Sequence, residues 1–186
     1  MKCLGLLLGI GGWRSTTNAQ QVRLAEAYVS KVHIGLGVGM EYGGIGPRVE
    51  FLPVKYVGVF AGAGYNFQSL GANVGIALRP LPDCKIQPIA MAMYGYNGVI
   101  KIDGNTQTLA FIGLDGVSKT YYGFSAGLGG ELKVGSRGNR LYAAVWRPFR
   151  SEEFETNYDK VQDSPYITNK GKVLPVTFSF GFNWAL

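Results

Sequence analysis

The side chains able to do chemistry are few and widely spaced. His33 is the sole histidine of 186 residues, and Cys3 and Cys84 are the only cysteines. One histidine and one cysteine beyond the N-terminal leader described below fall short of a usual zinc ligand set. Nucleophilic catalysis needs a serine within hydrogen-bond reach of a base. Ser125 falls in the middle of an alternating segment, far along the chain from His33. Glu152, Glu153, Glu155, Asp159 and Asp163 crowd one stretch, which reads as a solvated charged loop. The expectation is therefore no enzyme, no cofactor and no metal. The chemistry left is that of ion pairs: Glu41, Arg48, Glu50, Arg79, Glu131 and Lys133 fall on the small-residue faces of alternating segments.

Those segments are strands, because strand side chains point to opposite faces in turn. Val32–Tyr42 sets Val32, Ile34, Leu36, Val38, Met40 and Tyr42 against His33, three glycines and Glu41. Val57–Phe67, Gly71–Arg79 and Tyr122–Lys133 repeat the scheme. In the last segment, Phe178, Phe180, Phe182 and Trp184 oppose Thr177, Ser179, Gly181 and Asn183. Gly46–Leu52 is a shorter strand. Ile86–Tyr96 and Asn139–Phe149 are apolar on both faces, so their inward face stays open; Arg147 inward would put Tyr142 and Trp146 outward. The total is eight strands.

Glycine, at 28 residues, makes most of the non-bulky face. Such a face neither solvates well nor fills a core. The pattern makes better sense with the bulky face toward lipid, as in transmembrane barrels, whose strands alternate apolar-out with polar-in. Phe178, Phe180, Phe182 and Trp184 are then lipid-facing, and the charged set lies in the lumen. On this register Glu41 and Arg48 face each other across the first hairpin if Tyr42 pairs with Pro47. The predicted fold is all-β: an antiparallel transmembrane barrel of eight strands in an up-and-down meander.

Connections alternate in length. Pro53–Lys55, Leu81–Lys85 and Val134–Gly138 are short, while Asn97–Lys119 and Arg150–Lys172 are long. Outer-membrane barrels have short periplasmic turns and longer external loops. Asp103-Gly104 reads as the turn of a small external hairpin. Aromatic residues gather at the rims: Tyr42, Tyr65, Phe67, Tyr94, Tyr96 and Tyr122 outside, Tyr56 and Trp184 inside.

Residues 1–19 have the form of a secretory signal: Lys2, an apolar stretch from Leu4 to Trp13, and small residues in Thr17-Asn18-Ala19. Its removal takes Lys2 and Arg14 and lowers the formal charge from +6 to +4. No basic cluster remains to bind nucleic acid. Residues 20–31 form a short periplasmic segment, and 32–186 the barrel.

The export signal, the alternating strands and the closing segment Val176-Thr-Phe-Ser-Phe-Gly-Phe-Asn-Trp184 resemble the small outer-membrane β-barrel family of Gram-negative bacteria that contains the OmpA membrane domain and OmpX. The resemblance covers about 32–186. It implies residence in the outer membrane among lipid and lipopolysaccharide, and insertion by the barrel-assembly machinery, which reads an aromatic-rich last strand; here the chain ends in Leu186 rather than Phe. Eight strands leave an interior that side chains fill. The expected role is structural, adhesive or surface-interactive, through 97–119 and 150–172. The alternatives are a lipid-modifying enzyme of the same membrane, a soluble lipocalin-like carrier with bulky residues inside, and a narrow pore.

Overall fold

The computed structural model describes residues 31–100, 119–163 and 173–186. The leader, residues 20–30 and the Asp103-Gly104 turn lie outside the described residues. Eight strands pair in chain order: β1 (Val32–Gly39), β2 (Gly44–Val54), β3 (Val57–Tyr65), β4 (Leu70–Leu78), β5 (Ile86–Ile100), β6 (Lys119–Val134), β7 (Asn139–Phe149) and β8 (Thr177–Ala185). β8 returns to β1, with His33 opposite Ala185 and Val38 opposite Phe180, and closes an antiparallel up-and-down barrel. Closure leaves no sheet edge along the wall. The turns at 55–56, 79–85 and 135–138 share one end, the turn end; the opposite end is the loop end.

β1 stops at Gly39, three residues short of the expected strand. Met40–Tyr42 fold inward as a single 3-10 turn, and all three are buried. Gly39, Gly43 and Gly44 make this possible, with φ of 135°, 69° and 114°. Only glycine adopts such values at little cost. Gly39 therefore pairs with Gly44, and Arg48 lies opposite Gly35. The expected Glu41–Arg48 pairing across the first hairpin does not form, because Glu41 has left the strand.

Other boundaries shift too. β2 is longer than Gly46–Leu52, and β8 begins at Thr177 rather than Leu174. β5 and β6 remain paired beyond the barrel mouth, through Gly98–Tyr121, Val99–Thr120 and Ile100–Lys119, after a bulge at Asn97. The stretch expected as a charged loop contains a helix, α1 (Glu152–Asp163). Ser151 caps it, its Oγ accepting the Phe154 N–H at 3.3 Å. Phe154 and Val161 bury against Ile100 and Tyr121, with Tyr158 and Val173 packed alongside, so α1 is fastened to the projecting β5–β6 ribbon. Asn157 adds a hydrogen bond to the Tyr121 hydroxyl at 2.9 Å.

Candidate functional site

The barrel lumen gathers nearly all the buried chemistry, and it has two halves. The turn-end half is ionic. Arg79 follows β4, Glu131 lies on β6, Glu50 on β2 and Arg140 on β7, all in inward register near the turns. The Arg79 guanidinium grips Glu131 with two hydrogen bonds, Nε at 2.8 Å and Nη2 at 2.9 Å. Its Nη2 also reaches Glu50 at 2.7 Å. Arg140 donates to Glu131 at 3.3 Å. Arg48 sits one layer up, 3.6 Å from Glu50, with its guanidinium 4.2 Å over the Phe60 ring. Isolated charges this deeply buried are costly, and pairing offsets much of that cost.

The loop-end half is aromatic and aliphatic. Met40, Tyr42, Phe60, Met91, Met93, Tyr142 and Trp146 form one buried cluster. The inward 3-10 turn delivers Tyr42 into it, held where Ser179 Oγ accepts the Met40 N–H at 3.1 Å. Asn73 donates to the Met40 carbonyl at 2.6 Å. The inward glycines are the sockets of these large groups. A Cβ on Gly181 would come within 1.9 Å of the Tyr42 hydroxyl, and one on Gly127 within 2.7 Å of the Trp146 ring. The interior is thus packed with large side chains as well as small and ionisable ones.

Of the residues singled out in the sequence, Arg48, Glu50, Arg79 and Glu131 meet in one network. Glu41 is fully buried in the loop-end half and joins none of those ion pairs. Lys133 also stands apart: its ammonium donates to the Pro82 carbonyl at 2.6 Å, below the network. Gln87 bonds the same carbonyl, so the β4–β5 turn folds across the turn end. Arg140 was missed, because β7 is apolar on both faces. Trp146 and Tyr142 point inward and Arg147 outward, resolving the face that the sequence left open. In β5, Ile89, Met91 and Met93 point inward.

The exterior carries bulky apolar side chains. Phe178, Phe180 and Trp184 are 58, 57 and 43% exposed on the outer wall; Phe182 is half-buried, its ring 4.9 Å from that of Trp184. Tyr65, Phe67, Tyr94 and Tyr122 ring the loop end, and Tyr56 stands exposed at the turn end. Tyr42, expected in the outer girdle, is inside, and Tyr96 packs against the core.

His33 is buried at the turn end opposite Glu50, whereas Ser125 lies opposite Pro148 toward the loop end. The two cannot form a nucleophile–base pair across that separation. Among the described residues no group of three His, Cys, Asp or Glu side chains could hold a metal. Outside the wall, a hydrogen bond to Asp83 at 3.0 Å ties the β2–β3 and β4–β5 turns and raises the Lys55 pKa. The chain matches no protein-family model and no curated protein.

Proposed function

We propose that this chain is an integral outer-membrane β-barrel with a sealed lumen and a structural, adhesive or surface-interaction role. One observation carries the reading: bulky apolar side chains cover the outside of a closed barrel while Arg48, Glu50, Arg79, Glu131 and Arg140 pair inside. In water, a continuous apolar wall of this extent would be an aggregation hazard. In hydrocarbon it matches its solvent, and a closed barrel satisfies the strand backbone. A lipocalin-like carrier needs bulky residues inside and polar ones outside, the opposite of β8. The role falls to the loop end, where α1 and the β5–β6 ribbon form a folded platform above the aromatic rim. Tyr42, Trp146, Phe60 and the Arg79 network are all buried inside the barrel, which supports a lumen closed to general diffusion.

Fractionation tests the reading. The chain should stay with membranes through alkaline washing, need detergent for extraction and run as a heat-modifiable band. Recovery in the soluble periplasmic fraction without detergent would overturn it. Stable ion-selective steps in planar bilayers would overturn the sealed lumen alone. An altered lipid A profile in cells lacking the protein would favour the enzyme instead.

A further inference from the structure

We propose that Arg147 is the anchor of a binding site on the outer wall for the phosphate group of a membrane lipid. This rests on the membrane reading above. Among the described strand residues of the barrel wall, Arg48, Glu50, Glu131, Lys133 and Arg140 all lie in inward register, and Arg147 is the one charged side chain in outward register; Lys119, on the β5–β6 ribbon beyond the mouth, is exposed and pairs with Glu153. It is exposed on β7 between Val145 and Phe149, both also exposed. Its guanidinium lies 6.0 Å from the Phe149 ring, and no carboxylate among the described residues pairs with it.

A charge on the lipid face is destabilising toward the bilayer centre and tolerated near the interfaces. The register gives Arg147 its height. Trp146 pairs with Thr177, the first residue of β8, so Arg147 sits level with the start of that strand at the loop-end rim. Phe124 pairs with Phe149 one step higher, and Phe178 pairs with Val145 one step lower. The guanidinium thus emerges from an aromatic frame at headgroup depth. Its planar fork matches a phosphate with two parallel hydrogen bonds. A lipid phosphate brings acyl chains that lie along the apolar wall below; a free phosphate does not. The observations favour the lipid.

The test uses the full barrel refolded into phosphatidylcholine vesicles with either a bisphosphorylated glucosamine glycolipid or its dephosphorylated form. Retained glycolipid is read by native mass spectrometry. The wild type should hold the phosphorylated form preferentially, Arg147→Gln should weaken retention about tenfold, and Arg147→Lys should fall between. Arg137→Gln, an exposed arginine in the turn-end connection 135–138, should change nothing. Equal retention by Arg147→Gln, equal retention of the dephosphorylated lipid, or displacement by inorganic phosphate would each overturn the site. Failure of the wild type to become protease-protected in the vesicles would instead overturn the membrane reading, and the site with it.

Discussion

The two halves of the lumen solve one packing problem by different means. At the turn end, Arg79, Glu131, Glu50 and Arg140 fill the bore with paired charges held by hydrogen bonds of 2.7 to 3.3 Å. At the loop end, Tyr42, Trp146 and the methionines fill it with apolar volume seated on glycines. Removing one member should act differently in each. A lost carboxylate leaves arginines uncompensated, whereas a lost ring leaves a hole that water can enter. The ionic half is therefore all-or-none, and the aromatic half degrades in proportion to volume.

Glu131→Ala should have the largest effect. It removes the ion-pair partner of Arg140 and two of the hydrogen bonds of Arg79, which keeps Glu50, with a cost of about 3–5 kcal/mol, read as a lower urea midpoint of the heat-modifiable band. A shift much below that would mean that the ionic half does not depend on pairing. Trp146→Ala comes next, at about 3 kcal/mol, and differs in kind: ion current should appear in planar bilayers after Trp146→Ala and not after Glu131→Ala. Gly127→Val drives a branched side chain into the Trp146 ring and should cost about 1–3 kcal/mol. Combining it with Trp146→Leu should recover part of the loss, and strict additivity in that double-mutant cycle would refute the socket assignment. Ser151→Ala should loosen only α1, by about 1 kcal/mol, seen as faster amide exchange at Phe154 with the barrel midpoint unchanged. The smallest effect belongs to Lys55→Ala, an exposed pair that should leave the midpoint within scatter. The sign of its pH dependence follows from the raised Lys55 pKa: the pair contributes below the ordinary lysine value of 10.5 and fades as pH climbs through the raised one.

The same division explains what the sequence could disclose. Where the lumen is ionic or glycine-lined, inward and outward residues differ in kind, and period two assigned the faces of β2, β3, β4, β6 and β8. Where the lumen is itself apolar, that contrast vanishes. Ile89, Met91 and Met93 inside β5 look no different from Ala90, Ala92 and Tyr94 outside it. Arg140 was invisible for the same reason. Glu41 lies inside the lumen as expected but off β1, because Met40 and Tyr42 continue the alternation of that strand after its backbone has turned away. Gly43-Gly44, flanking that turn, was the available signal. Phe154, Tyr158 and Val161, spaced by four and three, carried the helical period of α1 inside a stretch dominated by its charges.

The seam between β1 and β8 has a kinetic consequence. Met40 and Ser179 meet across 139 residues of chain, whereas Glu131 and Arg140 are only 9 apart. Pairings of such different loop length form at very different speeds. The ionic half can assemble while the sheet is still an open ribbon, but Tyr42 is locked in place only when the first and last strands zip together. Until then, both margins offer unpaired amides to any neighbouring chain, so a holding chaperone would be needed up to that final step.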